Sequence, residues 1–307
     1  MPSAPESHDI IALALAEDLG VPPSLFAPGA GSSPDLLERD ATSAAVIPLS
    51  AGFGGRIVAR EEAVVCGLPL AESVWMTLAR ATGLAEQMMP EVFPLVAEGA
   101  RVKAGTPVAE VSGPARVILA GERTALDFVM VLSGIASEAS RWQEAAGPGL
   151  DVCDTRKTWP GMRALSKYAV RVGGATNHRA GLWDMVLVKD NHLRAAGGVG
   201  QAIAAARAAR PGLLVEAEAD SVEAAIAAAE AGADIVLLDN MDDAALAECV
   251  RAVGQVRSRT GRRCLTEASG GITYTRLASL RAAGVDRVSS SAITLAPPVD
   301  FGLDELT

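Results

Sequence analysis

The chain has 307 residues, half of them hydrophobic, 21% charged and only 4% aromatic, with a formal net charge of −10. That composition excludes a disordered, collagenous or coiled-coil chain and leaves room for two domains, or one large α/β barrel with an appendage. The acidic balance argues against nucleic acid or an anionic membrane as a partner, because their phosphates reward a basic face.

No apolar run approaches the ~18 residues that span a bilayer, and the start lacks the basic region of a secretory signal, so a cytoplasmic location is expected. Cys66, Cys153, Cys249 and Cys264 lie far apart with no CxxC pair, which reads as buried free thiols rather than a disulfide or zinc framework.

Residues 10–20 read as a short amphipathic helix closed by glycine, and 21–40, rich in Pro, Gly and Ser, as an exposed loop. From 44 to 114, short apolar runs at 56–59 and 106–111 alternate with turns such as Lys103-Ala104-Gly105, and 68–81 has helical spacing. These make a small α+β domain. A longer helix is expected over 121–143, where Leu126, Val129, Met130 and Ile135 recur at helical spacing. From 150 onward the pattern becomes strand, loop, helix. Candidate strands are 150–153, 168–172, 185–188, 213–217, 235–238, 264–268 and 285–289, with alanine-rich helical stretches at 200–210, 221–231, 242–256 and 274–283. Apolar strands alternating with helices call for a parallel sheet, and seven in about 140 residues suit an α/β barrel. A doubly wound open sheet gives the same alternation. The expected domains are an α+β unit over 1–120, carrying an insertion at 21–40, a barrel over 121–292, and a tail over 293–307 that packs back on the first unit.

The polar residues gather where these strands end. Asp154-Thr155-Arg156-Lys157 follows the first, Asn177-His178-Arg179 lies beyond the second, and Lys189-Asp190-Asn191-His192 follows the third. The fourth carries Glu216 and Glu218, the fifth ends at Asp239-Asn240, and the last two lead into Ser269-Gly270-Gly271 and Ser289-Ser290-Ser291. In α/β barrels the carboxyl ends of the strands build the active site, so these residues are expected to share one mouth. Between Asp154 and Arg194 there are eight basic residues against three acidic ones, a basic island in an acidic protein. Arginine forks and lysine point charges together suit a polyanionic ligand. The glycine- and serine-rich turns offer backbone N–H groups and hydroxyls to a phosphate. Glu218 and Asp239 could hold Mg²⁺, stabilise positive charge on a sugar carbon, or pair with the cations.

Several blocks resemble the quinolinate phosphoribosyltransferases in one order from about 41 to 304: GERTALDF from Gly121, LSGIA from Leu132, DTRKTWPG from Asp154, KYAVRVGG from Lys167, NHR from Asn177, KDNH from Lys189, LLDN from Leu237 and EASGG from Glu267. The resemblance implies a carboxylating enzyme of NAD biosynthesis. It joins quinolinate to phosphoribosyl pyrophosphate with Mg²⁺ and releases pyrophosphate and CO₂. It further implies that Arg156, His178, Arg179 and Lys189 bind the quinolinate carboxylates and that Lys157 lies near both substrates. Arg123 would reach in from a neighbouring subunit of a homodimer or larger oligomer. Glu218 and Asp239 would face the ribose and the magnesium-bound pyrophosphate, and Ser269, Gly270, Gly271, Ser290, Ser291 and Ala292 the 5′-phosphate.

Three departures from the family pattern stand out. About twenty residues, 21–40, intervene between the first helix and Thr42, where relatives have a few. The last strand runs into Ser290-Ser291-Ala292 and Thr294-Leu295 where relatives have a Val-Gly-Ala turn and then Thr-His. Gly174-Ala175-Thr176-Asn177 lacks a third glycine. The altered phosphate loop leaves a non-catalytic binding relative as an alternative, and the molybdenum-transport paralogue is another. The intact KDNH block favours the quinolinate enzyme.

Overall fold

In the computed structural model, which describes residues 4–306, the opening apolar stripe forms α1 (His8–Leu19). Ile11, Leu15 and Leu19 share its buried face, and Gly20 ends it at φ 63°, a left-handed conformation that glycine adopts without penalty. The 21–40 stretch is exposed over most of its length, as expected, but it is not a plain loop. It folds into two 3₁₀ turns, Pro23–Phe26 and Pro34–Arg39, and buries Phe26, Leu36 and Leu37. Proline opens each turn, where its missing N–H costs nothing. Arg39 donates to the carbonyls of Leu19 and Gly20 at 3.1 and 3.2 Å, satisfying the end of α1. Counting turn formers gave too much weight to proline and glycine and too little to the three apolar side chains between them.

By compactness the chain forms two units. One takes the chain up to Glu138, Trp159–Gly173 and the residues from Ala296 on; the other is Ala139–Thr158 with Gly174–Leu295. In the first unit, Asp40 caps α2 (Ala41–Val46) through its side chain. The strands β1 (Gly52–Ala59), β3 (Glu91–Pro94), β5 (Pro107–Pro114) and β12 (Phe301–Glu305) form an antiparallel sheet in the order β12-β1-β5-β3, beside a small ladder of β2 (Ala63–Val64) and β4 (Arg101–Val102). Helix α3 (Leu68–Thr82) buries Ala71, Val74, Trp75 and Leu78 at helical spacing, and the Trp75 indole donates to the Ile118 carbonyl of α4 (Ala115–Ala146) at 3.0 Å. The unit boundary falls inside α4, after Glu138, and position 120 lies in the same helix.

Residues 168–172, expected as a strand, belong to helix α5 (Arg163–Val172). Leu165, Tyr168, Ala169 and Val172 stand at i, i+3, i+4 and i+7 and are all buried, a helical stripe. A five-residue window shows only its apolar end. The Tyr168 hydroxyl donates to Glu98 at 2.7 Å.

The second unit holds six parallel strands, β6 (Asp151–Cys153), β7 (Val186–Val188), β8 (Val215–Ala219), β9 (Ile235–Asp239), β10 (Leu265–Ser269) and β11 (Arg287–Ser289), in the order β6-β11-β10-β9-β8-β7. The last strand pairs with the first, as a barrel requires. The seventh position is reduced to a single parallel bridge between Cys153 and Thr176. Strand β9 shows why the strands assemble so: Ile235 to Leu238 are all buried, and the chain turns polar at Asp239, as expected for a strand covered on both faces. Helices α6 (Asp190–Ala196), α7 (Val199–Ala209), α8 (Val222–Glu230), α9 (Asp243–Thr260) and α10 (Leu277–Ala283) fill the crossovers, with Ser221 and Asp242 capping α8 and α9 through their side chains. The fold is thus an α/β barrel with a smaller α+β unit. No helix of the described residues is long and apolar enough to cross a membrane.

Candidate active site

The carboxyl ends of β6, β7, β9, β10 and β11 surround a cavity of about 500 Å³. Arg156, Lys157, His178, Arg179 and Lys189 line it, with Asp239, Glu267, Ser269, Gly270, Gly271 and Ser289 among the other walls. Local bonds fix this convergence. Fully buried Asp154, one residue past β6, accepts the His178 amide at 2.9 Å and donates its own amide to the Thr176 carbonyl at 3.1 Å. That seats the 177–179 segment beside 155–157.

Positive charge is concentrated here against its own repulsion. Burial and the neighbouring Arg156 charge pull the Arg179 guanidinium below its ordinary value, so an arriving anion relieves strain already present. The Lys189 ammonium pairs with Glu218 at 3.3 Å. The lysine side chain is half exposed, and such a pair is worth about 0–1 kcal/mol, so a ligand carboxylate can displace it cheaply.

Beneath the cations lies a charged floor. The His178 Nε2 atom is 3.0 Å from Glu216 and 3.4 Å from Glu267, and the Arg287 Nε is 2.7 Å from the other Glu267 oxygen. Both carboxylates are wholly buried. Burial disfavours the imidazolium, but the two carboxylates outweigh it and raise His178 to about 9. Burial and the charge of Glu267 push Glu216 up, whereas His178 and Arg287 overcome burial and hold Glu267 down. The Arg179 amide lies 2.7 Å from His178 Nδ1, a hydrogen bond open only to the neutral ring. It is worth about 1 kcal/mol, less than the ~1.4 kcal/mol of a tenfold change in proton affinity. It therefore trims the rise without cancelling it. Among the described residues this trio is the one place where three metal-ligating side chains converge. Arg287 and the imidazole already supply countercharge there.

Glu218 and Asp239 lie on the adjacent strands β8 and β9, in a register that sets Glu218 opposite Leu237. Asp239 reaches the cavity. Two carboxylates at a cavity mouth match magnesium, which takes one or two such ligands and completes its shell with water and substrate phosphate.

The turn after β10 is built for close backbone approach. Gly270 and Gly271 have φ 79° and 57°, and Asn240, at φ 54°, is the one non-glycine residue of positive φ among those described. Such strain gathers at functional sites. Ser291 keeps an ordinary φ, so the glycine missing from this turn is not needed. The Ser290 hydroxyl accepts the Ala292 amide at 3.2 Å, and the buried Thr294 hydroxyl donates to the Lys157 carbonyl at 2.8 Å, with the Ser291 carbonyl at 3.2 Å. One hydroxyl thus ties the Lys157 segment to the last turn. In the 174–177 segment the left-handed position is held by Gly174 at φ 87°, and no third glycine is called for.

Of the expected site residues, Arg156, Lys157, His178, Arg179, Lys189, Asp239, Ser269, Gly270 and Gly271 line this cavity, and Glu218 adjoins it through Lys189. Ser290, Ser291 and Ala292 are not among its lining residues, and Ser289 is. Arg123 belongs to the first unit. It is exposed on α4, 3.6 Å from Asp127, and lines a different cleft of about 470 Å³ with Ile10, Leu13 and Glu17. Sequence reasoning overlooked Arg287 and gave Glu267 no role. Both sit among the ordinary mixture of polar and apolar residues of β10 (Leu-Thr-Glu-Ala-Ser) and β11 (Arg-Val-Ser), so the sequence carried no signal for them.

The profile described as "Quinolinate phosphoribosyl transferase, C-terminal domain" matches residues 135–304, and that described as the N-terminal domain of the same enzyme matches 40–133. Nicotinate-nucleotide pyrophosphorylase [carboxylating] of Mycobacterium leprae is 39% identical over 267 residues, covering 86% of this chain and 90% of the relative. The Homo sapiens protein of the same description is 41% identical over 250 residues, 80% of each chain. The solved structure of NadC from Streptococcus pyogenes superposes with a TM-score of 0.80 at 33% identity, covering 98% of this chain and 97% of the other.

Proposed function

The chain belongs to the quinolinate phosphoribosyltransferase family, and from that premise we propose that it joins quinolinate to phosphoribosyl pyrophosphate, forming nicotinate mononucleotide, pyrophosphate and CO₂ for NAD biosynthesis. The observation that carries this reading is the gathering of five cationic side chains around one cavity of about 500 Å³. A pyridine dicarboxylate and a sugar with two phosphate-bearing ends need such an environment, and a neutral substrate does not.

Arg156, His178, Arg179 and Lys189 take the two quinolinate carboxylates, and Lys157 stands between the substrates. The 5′-phosphate rests on the backbone of Ser269, Gly270 and Gly271 and on Ser289 at the end of β11, just before the Ser290-Ser291-Ala292 turn. Glu218 and Asp239 face the ribose carbon as positive charge develops there, and a magnesium ion on their oxygens would offset the charge of the departing pyrophosphate. Lys189 exchanges Glu218 for substrate and so frees that carboxylate. Once the pyridine nitrogen carries the sugar, its positive charge stabilises the electron pair left on the adjacent carbon as CO₂ departs, and a proton then binds that carbon. The four cysteines are free and buried, which suits the reducing cytoplasm.

Incubation with quinolinate, phosphoribosyl pyrophosphate and Mg²⁺ is expected to give CO₂ and nicotinate mononucleotide in equal amounts. Ribosylation of a different aromatic acid, with quinolinate untouched, would remove the assignment.

Arg123 completes the site of a neighbouring copy in a homodimer or larger assembly. Its exposure on α4 and the family pattern support that role. Arg123→Ala and Lys157→Ala are each expected to be inactive alone, and mixing the two under subunit exchange to restore about a quarter of wild-type activity. That figure assumes dimers assorting at random. No recovery despite exchange would confine Arg123 to its own chain.

A further inference from the structure

Three ionisable groups, Glu216, Glu267 and Arg287, lie under the substrate cations in a layer that a purely structural core does not need. Replacing a buried ion network by apolar side chains of similar volume is often neutral or stabilising, so stability alone is a poor reason for this one. Its geometry has a direction. Arg287 sits on Glu267, Glu267 and Glu216 both face the Nε2 edge of His178, and the opposite ring nitrogen meets the amide of Arg179. The charges therefore run from the barrel floor, through the ring, to the backbone of a residue that lines the cavity. Strand register fixes the far end, because Glu267 on β10 stands opposite Arg287 on β11 and Leu237 on β9.

We propose that Glu216, Glu267 and Arg287 are positioning residues that fix the His178–Arg179 corner of the quinolinate site and so set the affinity for that substrate, without contacting phosphoribosyl pyrophosphate. The inference rests on the proposed reading of the cavity. Two carboxylates on one edge hold the ring in one orientation and keep its positive charge beside Arg179, on the segment that Asp154 seats. Without the carboxylates the ring is free to turn, and the corner loses its aim. The glycine turn and the Glu218–Asp239 pair take no part in this network.

The test is steady-state kinetics on Glu267→Gln, an isosteric change, with each substrate varied in turn. The KM for quinolinate is expected to rise at least tenfold while that for phosphoribosyl pyrophosphate stays within twofold. Because the single change leaves Arg287 without its partner, Glu267→Gln/Arg287→Gln and Glu216→Gln are measured alongside, each checked by thermal unfolding. A folded variant from any of the three that shows the split supports the proposal. Equal rises in both KM values, or no change in either, overturn it, as does failure of all three variants to fold, since the layer would then be structural. If the wild type itself makes no nicotinate mononucleotide from quinolinate, the functional reading has failed, and this inference with it. Unchanged kinetics in the variants beside an active wild type sink the inference alone.

Discussion

Arg179→Ala is expected to lower kcat/KM for quinolinate about 10³-fold and leave the fold intact. Losing a charged donor from a desolvated anion site costs about 3–4 kcal/mol, and each 1.36 kcal/mol is a factor of ten in rate. The fold survives because the guanidinium makes one long bond to protein in the absence of substrate, to the Met185 carbonyl at 3.3 Å. Arg156 repels it while Glu216 and Asp184 attract it, so truncation removes charge interactions of opposite sign. The amide that meets His178 belongs to the backbone and is kept by alanine. Kinetics with quinolinate varied, together with a thermal melt, decide the matter: turnover within tenfold of wild type would take Arg179 out of the site, and a large fall in melting temperature would make the loss structural.

The same contrast shows what the sequence could disclose. The strand-end residues were legible because a parallel barrel puts every strand's carboxyl end on one side, and the runs ending at Lys189 and Asp239 each change from apolar to polar within a residue or two. The layer beneath was not legible. Glu216, Glu267 and Arg287 look like ordinary polar alternation, and only the register of β8 through β11 brings them to one imidazole. Helix α5 was misread for a related reason: Tyr168 to Val172 suits either period, and what decides it is the longer stripe beginning at Leu165. In residues 21–40 the exposure was legible and the anchors were not, because composition reports turns but cannot show that Phe26, Leu36 and Leu37 find a core. The Ser291 substitution drew attention as a departure from glycine, yet its backbone never enters the region where glycine is required. The glycine that matters lies in the neighbouring turn.

Gly270→Ala tests that turn. At φ 79° a side chain is strained, by about 1–2 kcal/mol, and an added Cβ would lie 2.2 Å from Asn240 Oδ1, 2.5 Å from its Cγ and 2.9 Å from its amide nitrogen. Asn240 has little room to retreat. Its amide donates to the Ser269 carbonyl at 3.0 Å, its side-chain amide donates to Asp239 at 2.7 Å, and its own φ is 54°. The turn must therefore move, carrying with it both the backbone of the phosphate cradle and the carboxylate of Asp239. A displacement of about 1 Å at a reacting centre can cost 10²-fold, so kcat/KM for phosphoribosyl pyrophosphate is expected to fall by about that factor. Quinolinate binding, measured by calorimetry, stays within threefold because none of its ligands lies on this turn. Adding Asn240→Gly removes the two shortest contacts and permits the positive φ, and the double variant is expected to regain part of the lost activity. Equal weakening of both substrates would instead mean that the barrel mouth as a whole had shifted, and that Gly270 serves the fold rather than the phosphate.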